Sequence, residues 1–337
     1  MSLFVSILLP FHNALDTLPA CLRSIQAQEH PHWELIAVND QSTDGSRPWF
    51  RQQALRDKRI RIIDNPEKGL VNALNLGLAA CSHPLVARMD ADDVMSPQRL
   101  LQQISHFRRC PDLALSATQV RLFPKEQIQN GFLEYIRWQN LCCSRDDIAR
   151  QIYIESPFAH PSVMFRKSCV QQLGGYRSGP FPEDYDLWLR LFHSGLPMEK
   201  LPQVLLDWRE SPDRVSRTDP RCSREAFDRL RASYLARDPR FLARADDFVI
   251  WGAGRKTRKR CHHLLKQGLQ PRAWVDIDPK KIGNEIRGIP VVDSAWLEAH
   301  GHPFVLIYVA NHGARDDIAR ELDSQGYVLG QDYLAVG

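Results

Sequence analysis

Hydrophobic positions in the first part of the chain come in short apolar runs separated by stretches with apolar residues at helical spacing. The runs predict buried strands at 4–9, 33–38, 60–63 and 85–89. The spaced positions predict helices around 15–25 and 71–79. Strands that alternate with helices in this order are typical of a parallel sheet covered by helices, so we predict an α/β fold.

The pattern changes twice further along the chain. From 97 to about 210 it is less regular, and only helices around 100–107 and 187–192 stand out. Residues 211–247 are rich in arginine and polar residues, which predicts a linker with a helix over Arg224–Leu235. A second α/β pattern starts at 248, with strands at 248–251, 273–275 and 304–309 and helices around 256–267 and 316–325. We therefore predict a first domain over 1–212, a linker over 213–246 and a smaller Rossmann-like domain over 247–337.

Polar segments follow three strand ends of the first domain, at 10–13, 39–44 and 90–93. The carboxyl ends of parallel strands share one edge of a sheet, so these segments should converge there. Asp90, Asp92 and Asp93 would repel one another in a cleft, and a divalent cation would relieve that repulsion. Taken alone, the triplet is equally compatible with an acidic turn that caps the next helix. The convergence favours a metal site for a phosphorylated substrate.

Composition narrows the function classes. The chain has 337 residues, 43% hydrophobic residues, 25% charged residues and a net charge of +4, which is typical of a globular protein and does not predict a nucleic-acid partner. No apolar run approaches the roughly 20 residues of a membrane span. We expect the apolar start to be a first strand rather than a signal peptide. The eight cysteines show no C-x-x-C spacing, which predicts reduced thiols and a cytoplasmic protein.

Five segments resemble, in the same order, the motifs of the family 2 glycosyltransferases. They lie at 5–13, 34–45, 68–75, 89–93 and 183–190. The resemblance covers about residues 4–210. It implies a GT-A fold, a nucleotide-sugar donor with a UDP-sugar favoured, a divalent metal (Mn²⁺ or Mg²⁺) and transfer with inversion. It also implies a saccharide or lipid-linked saccharide acceptor and a role in surface polysaccharide or lipopolysaccharide synthesis.

The resemblance assigns roles to the carboxylates. Asp92 is expected to bind the metal, and Asp90 the metal or the donor ribose, whereas the role of Asp93 stays open. Inversion in one displacement needs a base for the acceptor hydroxyl. Asp184 is expected to be that base, with Glu183 as its supporting neighbour.

Other matched positions would line the donor pocket. Asp40 resembles the carboxylate that contacts the nucleotide base, and Pro10 and Asn13 would shape the same pocket. Lys68 either meets a phosphate or is solvated. His160 either contacts the donor phosphate or the acceptor, or is a hydrogen-bonded structural histidine.

The C-terminal domain leaves two alternatives. Gly252 and Gly254 follow its first strand, but Thr257 stands where G-x-G-x-x-G would place a third glycine, and Asp276 lies where a ribose-binding acid would sit. The domain either binds a nucleotide or serves for docking, and we favour docking, with a homodimer as one outcome. The basic cluster at 255–260 suits a phosphate, an anionic membrane surface at the inner face, or plain solvation.

Two other functions remain as alternatives. A nicotinamide- or nucleotide-binding oxidoreductase centred on the C-terminal domain would leave the five N-terminal motifs unexplained. A non-catalytic carbohydrate-binding scaffold would leave both carboxylate groups unexplained. We therefore expect an inverting, metal-dependent glycosyltransferase.

Overall fold

The computed structural model describes residues 3–128, 130–211, 214–309 and 313–337. Backbone contacts divide the chain into two compact units. The first unit comprises residues 1–148 and 157–218, and the second comprises 149–156 and 219–337.

The helices and strands of the first part of the chain alternate as far as β4, after which the order becomes irregular. In chain order they are β1 Val5–Phe11, α1 Leu18–Gln26, β2 Trp33–Asn39, α2 Ser46–Arg56, β3 Ile60–Asp64, α3 Leu70–Ala80, β4 Leu85–Arg88, β5 Val94–Met95, α4 Arg99–Arg109, β6 Leu115–Phe123, α5 Asn130–Leu141, α6 Arg145–Gln151, β7 Met164–Arg166, α7 Lys167–Gln172, α8 Glu183–His193, β8 Met198–Arg209 and α9 Val215–Thr218. Short 3₁₀ turns cover Lys125–Gln127 and His160–Ser162.

One sheet of eight strands organises the first unit, in the order β3-β2-β1-β4-β7-β6-β8-β5. Strands β3, β2, β1 and β4 are parallel, and β7 pairs antiparallel with both β4 and β6. The parallel half carries buried apolar residues that pack against Leu22 of α1, Phe50 of α2 and Leu100 of α4. This mixed α/β sheet confirms the predicted fold class.

The first strand runs further than its pattern predicts. We expected the strand to stop before Pro10, but β1 continues to Phe11, and Pro10 pairs with Val38 of β2. The pairing of β1 with β4 ends at Leu8, so the missing N–H of Pro10 interrupts no hydrogen bond of that ladder. The strand therefore carries Pro10 to the rim of the sheet.

The second unit contains a smaller sheet. Its elements are α10 Arg224–Leu235, α11 Pro239–Leu242, β9 Phe248–Trp251, α12 Arg255–Leu265, β10 Trp274–Val275, β11 Glu285–Ile286, β12 Ile289–Val292, α13 Ala295–Ala299, β13 Phe304–Ile307, α14 Ala314–Ser324 and β14 Tyr333–Ala335, with a 3₁₀ turn at Pro220–Cys222. The parallel strands lie in the order β12-β10-β9-β13-β14, and β11 pairs antiparallel at the edge. Numbered along the chain, these parallel strands have the order 3-2-1-4-5, which is that of the first five strands of a classic doubly wound sheet.

The segment that we expected to be a linker is packed in the structure. Helix α10 has the predicted bounds, but it packs on α12 within the second unit. Residues 149–156 also belong to this unit, where the Tyr153 hydroxyl donates to Asp238 Oδ2 at 2.8 Å and Gly337 N donates to Tyr153 O at 2.9 Å. Within the described residues no helix is long and apolar enough to cross a membrane, and the eight cysteines form no disulfide.

Candidate active site

Three carboxylates meet where β4 leaves the sheet. Asp90, Asp92 and Asp93 lie in the short loop between β4 and β5, and they present oxygens within 4.8 Å of one another. Burial, followed by the negative charge of Asp90, raises the pKa of Asp92 to about 6. The loop thus holds three acidic groups so close together that ionisation of Asp92 is disfavoured.

Asp93 fastens this loop to the sheet. The Asp93 side chain is fully buried, and its Oδ1 accepts a hydrogen bond of 2.7 Å from Arg209 N at the end of β8. Its Oδ2 is buried and has no hydrogen-bond partner within the described residues. Burial, together with the charges of Asp92 and Asp90, raises the pKa of Asp93 well above its usual value. Asp93 therefore orients the loop at an electrostatic cost.

The donor set fits a hard divalent cation. Carboxylate oxygens are the ligands that Mg²⁺ and Mn²⁺ prefer. Asp90 and Asp92 are partly exposed, whereas Asp93 is buried and leaves one oxygen unpartnered. The partly exposed carboxylates of Asp90 and Asp92 could hold such a cation, which would supply positive charge to a bound phosphate.

A buried arginine, which sequence reasoning missed, lies beneath the loop. Arg88 is the last residue of β4, is 1% exposed and forms an ion pair with Asp90. Its charge also lowers the pKa of Asp92 and of Asp184, so it acts on both groups of predicted catalytic carboxylates. The signal in the sequence was an arginine inside an apolar strand.

The predicted base lies in the first turn of α8. Asp184 is partly exposed, and its Oδ1 accepts a hydrogen bond of 2.7 Å from Tyr185 N. Burial, followed by the negative charge of Glu183, raises the pKa of Asp184 to about 7. Glu183 itself is 7% exposed. An aspartate with a pKa near neutrality is suited to accept a proton from a hydroxyl group.

A buried ion pair anchors α8 behind these acids. Asp186 Oδ2 accepts a hydrogen bond of 2.8 Å from Arg190 Nε one turn later, as the i,i+4 spacing allows. Arg190 also donates to Leu173 O at 2.9 Å. The pair fixes the first turn of α8, and hence the position of Asp184.

Three of the predicted donor-pocket residues, Pro10, Asn13 and Asp40, lie at the carboxyl ends of β1 and β2, and two of them make structural hydrogen bonds. Asp40 is 8% exposed and accepts from Asn65 Nδ2 at 2.7 Å and from Gly69 N at 2.9 Å. Asn13 Oδ1 accepts from Thr43 N at 2.8 Å and so holds the loop after β2. Asn65 was missed because its role depends on the fold and not on a motif.

The donor-pocket residues Pro10 and Lys68 differ in exposure, and Asp44, at the end of the polar segment 39–44, makes local hydrogen bonds. Pro10 is buried at the rim, whereas the Lys68 side chain is exposed. Asp44 accepts from Leu15 N at 3.1 Å and from Ser46 N at 3.0 Å, so it ties the start of α2 to the loop after β1.

His160 is buried and contacts Tyr176. It is 7% exposed and shares a hydrogen bond of 3.0 Å between its Nε2 and the Tyr176 hydroxyl. Burial, followed by the charge of Arg88, lowers the pKa of His160 well below its usual value, so the imidazole is neutral. These contacts match the alternative of a hydrogen-bonded structural histidine, and Tyr176 is a second residue that sequence reasoning missed.

Comparisons with known proteins agree on the class of enzyme. The family model described as "Glycosyl transferase family 2" matches residues 6–174. The amylovoran biosynthesis glycosyltransferase AmsE of Erwinia amylovora is 34% identical over 63% of this chain and 78% of its own length. An Escherichia coli UDP-Gal:alpha-D-GlcNAc-diphosphoundecaprenol beta-1,3-galactosyltransferase is 30% identical over 60% and 69%.

A solved structure agrees on the fold. TarS 1–349 of S. aureus in complex with UDP-GlcNAc has a TM-score of 0.55 and 16% identity over 69% of this chain and 66% of that one. Together with the family match, this confirms the predicted GT-A-like fold and enzyme class, and it favours transfer over the oxidoreductase and scaffold alternatives.

Proposed function

Because the chain belongs to glycosyl transferase family 2, we propose that its N-terminal unit transfers a sugar, with inversion, from a UDP-sugar to a hydroxyl of a saccharide or lipid-linked saccharide. The observation that supports this best is the meeting of three carboxylates at the end of β4, above Arg88, whose charge also acts on Asp184. The three carboxylates of the loop suit a leaving diphosphate, and Asp184 suits an incoming hydroxyl.

Asp92 and Asp90 would hold Mn²⁺ or Mg²⁺. When bound, the metal supplies positive charge to the diphosphate that leaves the sugar. Asp93 contributes by fixing the loop against β8, and Arg88 contributes by balancing part of the carboxylate charge from below. Asp90 thus pairs with Arg88 and would share the metal with Asp92.

Asp184 would take the proton of the attacking hydroxyl. Its raised pKa makes it a stronger base than an ordinary aspartate, and its partial exposure leaves it accessible. Glu183 raises this pKa and so supports the base. One carboxylate then serves the nucleophile while the acidic loop serves the leaving group, which is the division of labour that a single displacement requires.

Asp40, with Pro10 and Asn13, would form the floor of the donor pocket. The carboxylate of Asp40 is held by Gly69 N and Asn65, so it is preorganised for contact with a nucleotide base. The Lys68 side chain is exposed, and it would either meet a donor phosphate or stay solvated. His160 would act through Tyr176 and not on the substrate directly.

The relatives support a role in surface polysaccharide or lipopolysaccharide synthesis. The E. coli relative's name gives a UDP-sugar donor and a diphosphoundecaprenol-linked acceptor, and TarS is solved with UDP-GlcNAc. An acceptor of that kind would bring the enzyme to the cytoplasmic face of a membrane, as a peripheral contact.

The test is to replace each carboxylate by its amide. Asp92→Asn should abolish Mn²⁺-dependent thermal stabilisation by UDP-sugars as well as transfer. Asp184→Asn should abolish transfer and leave that stabilisation intact. Asp146→Asn, the same change at an exposed position on α6, is the matched control and should keep both. Transfer at wild-type rate in both site variants would contradict the proposal.

A further inference from the structure

A cavity of about 1110 Å³ lies in the second unit, outside the part that the family model matches. It opens where the strand order reverses, because the chain leaves β9 towards β10 and leaves β13 towards β14. Gly252 and Gly254 line it after β9, and Tyr308 and Val309 line it after β13. In open α/β sheets, ligands bind in the crevice at this switch point. The volume suits a ligand well above the size of a single phosphate.

The first glycine of the loop after β9 is required by the fold. Gly252 has a φ of +111°, and a Cβ there would lie 2.7 Å from Thr257 Oγ1. Thr257 thus fills the space in which a third glycine would let α12 approach the sheet more closely. Its hydroxyl donates to Tyr308 O at 3.5 Å. The departure from G-x-G-x-x-G is accommodated by this contact.

The second glycine opens the start of α12 to the cavity. A Cβ at Gly254 would meet no atom within 4 Å, and Gly254 is the N-cap without a side-chain cap. The first N–H groups of an uncapped helix, together with its dipole, favour an anion. Arg255 and Lys256 line the cavity next to them. The first turn of α14 carries Asp317 on the other side, so α12 is the anion-binding end.

A second, independent feature points into the same crevice. Tyr308 is 3% exposed and lines the cavity, yet its hydroxyl makes no hydrogen bond to any residue that the structure describes. A phenol hydroxyl in such a position normally has a partner. A ligand in the crevice would supply that partner.

The loop is held in shape by the acid that sequence analysis singled out. Asp276 accepts from Ala253 N at 2.8 Å, from Asp278 N at 2.9 Å and from Lys281 Nζ at 3.1 Å. Its carboxylate is therefore occupied by the protein, and it positions the glycine loop instead of serving a ribose. Ile277 lies beside it, 78% exposed on the cavity wall, and offers an apolar surface to a base or sugar.

We propose that this crevice binds a nucleoside diphosphate group, with a phosphate on the first turn of α12 and a ligand oxygen on the Tyr308 hydroxyl. The site is additional to the donor pocket of the first unit and needs no metal, because backbone N–H groups and cationic side chains supply its positive charge. It does not depend on the proposed transfer reaction.

The test measures amide hydrogen exchange in the full chain, peptide by peptide, with millimolar ADP or UDP and EDTA present. Peptides over 252–258 should exchange more slowly with either nucleotide, and inorganic pyrophosphate alone should bind more weakly. The readout is local, so binding or failure to bind at the first unit does not affect it. Unchanged exchange in these peptides, or pyrophosphate as effective as ADP, would overturn the proposal.

Two variants at one position separate charge from size. Gly254→Asp and Gly254→Asn place side chains of equal size at the N-cap, where both residues are favoured, so the helix should form in both. If a phosphate lies there, Asp should weaken nucleotide binding about tenfold more than Asn, because only Asp adds a negative charge. Equal losses in the two variants would refute the phosphate position.

A third variant tests the hydroxyl. Tyr308→Phe should weaken binding about three- to tenfold, which is the usual worth of one hydrogen bond, and should leave the melting temperature of the free protein nearly unchanged. An unaltered affinity would refute the placement of the ligand in the crevice.

Discussion

The ionisation of Asp184 should control the pH dependence of transfer. Burial and the charge of Glu183 raise its pKa to about 7, and a general base acts only when it is ionised. The turnover number should therefore rise with pH through neutrality and level off above it. At one pH unit below the pKa roughly a tenth of the groups are ionised, so the rate at pH 6 should be about a tenth of the plateau.

Glu183→Gln removes one of the two causes that raise the pKa of Asp184. For two carboxylates on neighbouring residues, an assumed separation of about 7 Å corresponds to a repulsion of roughly 2 kcal/mol at an effective dielectric constant of 20. Solvent at the partly exposed Asp184 reduces this, so a change of about one pH unit is expected. Removal of a negative neighbour lowers the pKa of the remaining acid. The rise of the turnover number with pH should thus move about one pH unit lower in Glu183→Gln.

The assay follows release of the nucleoside diphosphate at saturating donor and acceptor, from about pH 5 to pH 9. Glu29→Gln is the matched control, because it makes the same change at an exposed position of the first unit and should leave the profile in place. The reasoning is refuted by a wild-type rise centred near pH 4, or by a rise that stays in place or moves to higher pH in Glu183→Gln.

Three further predictions concern stability. Gly77→Ala should destabilise the protein by about 1–3 kcal/mol in urea unfolding, because the new Cβ would lie 2.2 Å from a leucine methyl of β1. A Cβ at Gly131 would meet no atom within 4 Å, so Gly131→Ala should stabilise the protein by up to about 1 kcal/mol. Arg88→Gln should lower the free energy of unfolding by about 3 kcal/mol, because it leaves the Asp90 carboxylate without its buried partner. Arg121→Gln breaks an exposed ion pair and should lower it by less than about 1 kcal/mol, and equal losses in the two variants would contradict this prediction. Asp184→Asn should raise the melting temperature at pH 8 and leave it unchanged at pH 4, because burial disfavours the ionised carboxylate, which the folded protein carries only above about pH 7. A gain in melting temperature only at pH 4 would contradict this cause.

The parallel half of the first sheet was predictable for a physical reason. Strands β1, β2 and β4 are buried on both faces, so they appear in the sequence as continuous apolar runs. Helix α2 was not assigned from its pattern because Phe50 is its only buried large apolar residue, and its apolar face is narrow. Tertiary packing, more than local pattern, forms that helix.

The other half of the sheet was not predictable from periodicity. Strand β8 runs over Met198–Arg209 with exposed residues in its middle, and its pairing with β6 shifts register near Gln119. Neither strand shows a clean alternation, because the ladder between them is irregular. The placement of residues 149–156 in the second unit was not predictable either, since nothing in the sequence tells which unit the buried Tyr153 packs in.

The predicted site residues share one property, which is that a motif carries them. Asp92, Asp90 and Asp184 follow from their segments and from the family resemblance, and their roles stay predictions. Asn65 and Tyr176 carry no motif, and they matter only because the fold brings them to Asp40 and His160. Residues that orient others are therefore the part of a site that a sequence shows least.

Arg88 is the instructive exception. An arginine that interrupts the run Leu85–Met89 has to be buried if the strand is buried, and a buried guanidinium requires a carboxylate partner nearby. The carboxylates nearest in sequence are those of the acidic loop that follows, and the structure pairs Arg88 with Asp90. Arg88 forms an ion pair with one of the three carboxylates, and Asp92 and Asp93 form no ion pair within the described residues. The excess of negative charge at this strand end is the physical reason to expect a divalent cation there.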